Sequence, residues 1–147
     1  MRIIDWFEGE TGVAHVNRIL RAALNRILGD AGERAAARHL RRQGIRVITR
    51  GYRTSAGEID LIAREGKTLV FVEVKTRRAG QPAEAVTLAK QRRLSNTALH
   101  FLRRFELLDY QCRFDIVAIV WPEGIRVPTI EHFRNAFEPP GRGQFFR

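Results

Sequence analysis

The chain has 147 residues, which favours one domain with a single sizeable core. Hydrophobic residues make up 44% and charged residues 29%, an ordinary globular balance, and no apolar run approaches the roughly 18 residues of a membrane span. Lys and Arg number 26 against 16 Asp and Glu, a net charge of +10, so acidic partners such as a nucleic-acid backbone suit the chain better than basic ones.

The opening "MRIIDWFEGE" carries acids early and no continuous apolar stretch, which makes a poor signal peptide and leaves the cytoplasm as the default. Val13, Val16, Leu20, Ala23, Leu24, Ile27 and Leu28 then recur at helical spacing between Arg18, Arg21 and Arg26. This predicts an amphipathic helix ending at Gly29, whose apolar face packs on its own domain or a partner, a second copy among them. A basic amphipathic helix can also bind an anionic membrane, but that is the less favoured use. A second helix is expected over 31–43, with Asp30 as N-cap and Gly44 as its stop.

Three strand-like stretches follow: "IRVITRGYR" (45–53), "EIDLIAR" (58–64) and "TLVFVEVKT" (68–76). Turns at 55–57 and 65–67 separate them. A long helix is expected from 83 or 87 to Arg104, buried along Leu94, Ala98, Phe101 and Phe105. The strand "RFDIVAIVW" (113–121) comes next, then an extended "IRVPT" and a short helical turn over 130–137. The expected domain organisation is a helical extension over 1–28, an α/β domain over 29–137 and a loosely ordered tail over 138–147. The order helix, three-strand meander, helix, strand defines an α/β layer with a helical crossover.

The chemistry concentrates on the second and third strands. Side chains alternate faces along a strand, so Glu58, Asp60 and Ile62 share one face and Ile59, Leu61 and Ala63 the other. Leu69, Phe71, Glu73 and Lys75 share a face of the next strand. A two-residue turn at Gly66-Lys67 pairs Glu65 with Thr68, which sets Asp60 opposite Glu73 and Glu58 opposite Lys75. Opposed residues hold their Cβ atoms roughly 4.5–5.5 Å apart, a spacing at which like charges destabilise the pair. An ion-pair ladder would explain Glu58 with Lys75, but it leaves Asp60 facing Glu73 unexplained. A divalent cation resolves the conflict, since Mg²⁺ takes one or two carboxylates plus waters and phosphates. Lys75, one step on, could then orient a water or meet charge growing on a phosphoryl group.

Positions on two helices extend this set. Glu33 lies on the stripe of Ala37 and Leu40, which gives it either a capping role with Asp30 or a place at the site. Lys90 and Gln91 extend the buried stripe of the long helix by one turn, toward the charged face or simply to its surface end. Asp115 shares a face with Arg113, where a local ion pair is the ordinary explanation. His15, His39, His100 and His132 show no metal-ligand spacing. The single cysteine, Cys112, excludes an internal disulfide and reads as a small buried or edge residue.

Taken together, "GERAAARHL", "GEIDLIAREGKTLVFVEVKTRR", "KQRRL" and "RFDIVAIV" resemble the YraN-like family of small bacterial proteins. More distantly they are similar to the PD-(D/E)xK nuclease superfamily, of restriction-endonuclease-like fold. The resemblance covers 29–137. It implies metal-binding carboxylates at Asp60 and Glu73, the superfamily lysine at Lys75 and its first-helix acid at Glu33. The layout is also similar to that of archaeal Holliday-junction resolvases, which implies a branched-DNA substrate. Asp60 follows Ile59 rather than the superfamily's proline, which is often absent there, and Gly51 stands where the family usually has asparagine. The expected function is thus Mg²⁺-dependent hydrolysis of DNA phosphodiesters, with Mn²⁺ as a substitute and no membrane partner. Arg50, Arg53, Arg77, Lys90, Gln91, Arg92 and Arg93 are the candidates for contacts to nucleic acid. The alternative is a non-catalytic nucleic-acid-binding module or adaptor that retains the fold.

Overall fold

The computed structural model describes residues 10–81, 83–124 and 127–141, with side chains of its first helix from residue 18 onward. Its elements run α1 (Glu10–Arg42), β1 (Arg46–Thr54), β2 (Gly57–Glu65), β3 (Thr68–Arg78), α2 (Leu88–Arg104), β4 (Gln111–Trp121) and β5 (Thr129–Phe133). The strands form one sheet in the order β1-β2-β3-β4-β5. The first three make an antiparallel meander, and α2 carries the chain across to β4, which pairs parallel to β3. This is the restriction-endonuclease-like core with an N-terminal helical addition.

The expected break at Gly29 is absent, because α1 runs through it as a single helix of 33 residues. Asp30 therefore caps nothing and Glu33 closes no capping box. Glycine costs a helix interior only about 1 kcal/mol, which packing further along can offset. That packing comes from Ala35, Ala36, Ala37 and Leu40, all buried against Leu61, Ala63, Val70, Val72, Val117 and Ile119 of the sheet. Upstream, Ile19, Leu20, Leu24 and Ile27 are each more than half exposed, so this stretch of the helix does not pack on the domain. The helix stops where expected: Gly44 takes φ +79°, its N–H donates to Arg41 O, and the Ile45 N–H donates to Leu40 O at 2.9 Å. These two bonds form a Schellman motif, which satisfies carbonyls that would otherwise be unpaired.

On the opposite face, α2 buries Leu94, Ala98, Phe101 and Leu102 against Ile59, Ile62, Leu69, Phe71 and Phe114. Thr87 caps α2, accepting from the Lys90 N–H at 3.2 Å. Phe105 does not continue the buried stripe; it lies past the helix end and is 49% exposed. The expected helical turn over 130–137 is instead β5, an antiparallel edge strand on β4. Its alternation of intermediate and exposed residues was too short to separate from a helical turn by pattern alone. Residues 125–126 and 142–147 of the expected extended piece and tail lie outside the described residues, as do the side chains of Val13 and Val16.

Gly51 adopts φ +61° within β1. Glycine and asparagine are the residues that enter this left-handed region most readily, so the exchange between them there is conformationally neutral.

Candidate metal-dependent nuclease site

The β2–β3 ladder keeps the register expected from the Gly66-Lys67 turn, Glu65 with Thr68 through Leu61 with Val72, and then stops. Asp60 is the first residue past its end. Its carboxylate accepts the Val74 N–H at 2.8 Å, so a side chain takes the place of the next rung. Asp60 therefore sits in the gap between two strands, not squarely opposite Glu73 on one face as the alternation predicted. The alternation itself breaks here, since Ile59 packs in the α2 cluster while Leu61 and Ala63 face α1. Glu58 likewise does not meet Lys75; it pairs with Arg53 of β1 at 3.1 Å.

The gap still brings the acids together. Glu73 is only 5% exposed, and burial followed by the charge of Asp60 pushes its carboxyl up to about 7, against the opposing pull of Lys90 and Lys75. Asp60 is also raised, chiefly by burial, although the Val74 N–H and Lys90 act against that rise. Glu33 comes in from α1 and is raised by its own burial and then by the charge of Asp60, while Arg50 pulls the other way. The approach of α1 depends on Gly32: a Cβ there would overlap Thr76 Oγ1 and lie 3.1 Å from both side-chain carbons of Thr76, so Thr76 or the helix would have to shift to admit it.

Lysines ring the pair. Lys90 Nζ lies 3.4 Å from Glu73 Oε1, and Lys75 Nζ lies 3.9 Å from the same oxygen and 3.6 Å from Glu84 Oε2. Glu73 Oε2, by contrast, is buried with no hydrogen-bond partner. A buried carboxylate oxygen left without a donor is costly, and such a group calls for a physical explanation. A cation in the gap would supply one. Among the described residues there is no cluster of three metal-ligating side chains. Mg²⁺ does not require one, because it uses one or two carboxylates and fills its octahedron with water and phosphate. A cleft of about 910 Å³ opens over the site, with Glu33, Asp60, Lys75 and Glu84 in its lining.

The remaining sequence candidates are dispersed. Gln91 turns back to donate to Val86 O at 3.1 Å, holding the loop before α2. Arg77 donates to Gln81 O at 2.7 Å, and Arg53 is engaged by Glu58. Arg92 and Arg93 are exposed on α2. Sequence reading missed Glu84, whose loop position follows no period, and the Val74 N–H, which no side-chain pattern reports.

A second acid cluster lies on the far side of β4. Asp115 is fully buried and accepts from Arg113 Nε at 2.9 Å, from the Asn135 N–H at 2.9 Å, and bonds His132 Nε2 at 2.8 Å. Burial alone would raise its pKa, but these three partners outweigh burial and leave it below its usual value. Arg113 continues to Glu65 at 2.6 Å, and Arg134 reaches the same carboxylate. The ordinary ion pair expected for Asp115 is thus a structural network. Cys112 is half-buried, with its thiol pushed up to about 12 by burial, which removes it as a nucleophile at neutral pH.

The fold is restriction-endonuclease-like, with two carboxylates and a lysine brought together where β2 and β3 part. Residues 32–119 match uncharacterised protein family UPF0102, and the chain belongs to that family. A UPF0102 protein of Geobacter sulfurreducens is 51% identical over 119 residues, covering 78% of this chain and 91% of the relative. One from Rhodopirellula baltica is 46% identical over 128 residues, covering 83% and 77%, and one from Rhodococcus opacus is 51% identical over 118 residues, covering 78% and 99%. Among the described residues, no helix is long and apolar enough to cross a membrane.

Proposed function

We propose that the protein is a Mg²⁺-dependent nuclease acting on DNA, with branched or otherwise structured DNA as its substrate. The observation that carries this reading is the close pair of part-buried Asp60 and buried Glu73, with Glu73 Oε2 unpartnered and two lysines on Glu73 Oε1. Two carboxylates held this close repel when both are ionised, and a divalent cation between them would relieve that repulsion. Asp60 and Glu73 would hold the ion, which when bound supplies Lewis-acid activation of the phosphodiester and of a water nucleophile.

The chain's own groups carry the rest. The Val74 N–H fixes one oxygen of Asp60 and so orients the other toward the gap. Lys75, held between Glu73 and Glu84, orients the water and offsets charge developing on the phosphoryl oxygens. Glu33, raised by burial and by Asp60, accepts a hydrogen bond from water entering the cleft. Lys90 balances Glu73 before substrate arrives and is within reach of a neighbouring phosphate. Arg50, Arg53, Arg77, Arg92 and Arg93 contribute contacts to the backbone that position the substrate without reading its sequence.

The test is a cleavage assay with Mg²⁺ or Mn²⁺ on plasmid, single strands, flaps and four-way junctions. Asp60→Ala, Glu73→Ala and Lys75→Ala should each reduce cleavage by roughly 100-fold or more. Cleavage that persists in all three variants overturns the mechanism. Binding without cleavage on every substrate would favour the non-catalytic module.

A further inference from the structure

Helix α2 carries polar and basic groups well past Lys90. Arg92, Arg93, Asn96, His100, Arg103 and Arg104 fall on one arc of the helix, opposite the buried Leu94, Ala98, Phe101 and Leu102. Residues three and four apart are neighbours on a helix surface, so the arc is a continuous rail. All of these but Asn96 are exposed.

At the end of α2 distant from Lys90, the rail becomes one wall of a groove of about 710 Å³. Asn96, His100, Arg103 and Arg104 form that wall, and Thr54 at the end of β1 and Ser55 of the β1–β2 turn form the other. The groove is held in shape. Tyr52 Oη and His100 Nδ1 are 2.8 Å apart, which fixes the imidazole. The Arg104 guanidinium lies 5.3 Å over the Phe105 ring. Gly57 brings the turn against α2, since a Cβ there would already meet Thr97 Oγ1 at 3.2 Å.

We propose that this groove is a distal phosphate subsite that holds an arm of the nucleic-acid substrate. The identity of the ligand rests on the nuclease reading. From Lys90 to Arg103 is 13 residues of helix, or about 20 Å at 1.5 Å per residue. A nucleic-acid strand advances about 3.4 Å per nucleotide, so the groove meets the arm roughly six nucleotides from the candidate site. An open groove whose walls carry guanidinium, imidazole, amide and hydroxyl groups, with Ala56 and Leu99 also in its lining, suits a backbone passing across it. An enclosed small anion would call for buried donors converging on one point, and the groove lacks them among the described residues. Contacts of this kind position the substrate without specifying sequence.

Fluorescence anisotropy on the full chain in EDTA tests this without cleavage, using fluorescein-labelled four-way junctions with arms of 4, 6, 8 and 12 base pairs. Wild-type affinity should rise roughly tenfold as the arm passes about six base pairs. The double variant Arg103→Gln/Arg104→Gln should abolish that rise and reduce the salt dependence by about two phosphate contacts, with 4-base-pair arms unaffected. Ser55→Glu, on the exposed opposite wall, should do the same by repulsion without touching the core. A rise that survives in both variants, or an equal loss on short and long arms, overturns the subsite. The two readings fail separately: a protein that never cleaves can still show the arm-length step, and one that cleaves without the step lacks only the groove.

Discussion

Two buried acids flank the same parallel strand pair, and they are treated in opposite ways. Asp115 on β4 has an arginine, a histidine and a backbone N–H converging on it, and its pKa lies below its usual value. Glu73 on β3 is almost as deeply buried, yet it faces another carboxylate, keeps one oxygen unpartnered and is raised to about 7. Burial costs each of them similarly; what differs is whether the surroundings compensate. A satisfied buried acid is a structural part. In the function proposed above, an acid left short of partners is kept for a cation or substrate, and packing elsewhere in the same sheet offsets its cost.

The largest expected effect separates the two by removal. Asp115→Ala should cost about 3–5 kcal/mol in urea denaturation, because Arg113 and His132 lose the charge that compensates them. Glu73→Ala should cost far less or add stability while abolishing cleavage. If the two variants lose similar stability, the distinction between structural and functional acid fails.

The second effect is in the pH dependence. Folded Glu73 keeps a proton that the unfolded chain has already released at pH 6, so its contribution to stability is complete at low pH and is lost as pH climbs through about 7. A shift from 4.5 to about 7 corresponds to roughly 3 kcal/mol lost between about pH 4 and pH 8. Asp115 has the reverse sign: its contribution is present at neutral pH and is lost as pH falls through the acid range. Denaturation curves from pH 3 to 8.5 should therefore decline on both sides, with Glu73→Gln flattening only the alkaline side. Saturating Mg²⁺ should reduce the alkaline decline as well, since a nearby cation favours the ionised pair. An alkaline decline that Glu73→Gln leaves unchanged would assign it to other groups.

The smallest effect concerns α1, which delivers Glu33 to the unsatisfied cluster. A Cβ added at Gly29 would meet no atom within 4 Å, so Gly29→Ala should stabilise by about 0.5–1 kcal/mol through helix propensity. Gly32→Ala should destabilise by about 1–3 kcal/mol through overpacking on Thr76, and should lower cleavage by displacing Glu33. Equal thermal shifts for the two would mean that α1 does not approach β3 closely at Gly32.

Much of this arrangement follows from local pattern. The Gly66-Lys67 turn set the β2–β3 register, the valines of β3 defined the face against α1, and Gly44 stopped the first helix. Each is a short-range effect, fixed by turn geometry, by alternation or by the conformational freedom of glycine. The pairing of Asp60 with Glu73 was legible as two acids converging in one register, though its form was not. The ladder ends one rung early and Asp60 bonds Val74 N–H, an outcome that depends on where two strands part.

The sequence by itself determined the helix, three-strand meander, helix and strand of the core, the basic charge, and the acids and lysine of the candidate site, because periodicity and spacing are local properties of a chain. Local pattern misread the first helix as two and β5 as a helical turn. Only the tertiary structure decided which acids are compensated. Asp115 meets His132 and Asn135 from a strand and turn 17 and 20 residues away, and Lys90 reaches Glu73 from the crossover helix. Desolvation and compensation are set by what surrounds a group in space, and a chain brings those surroundings together only by folding.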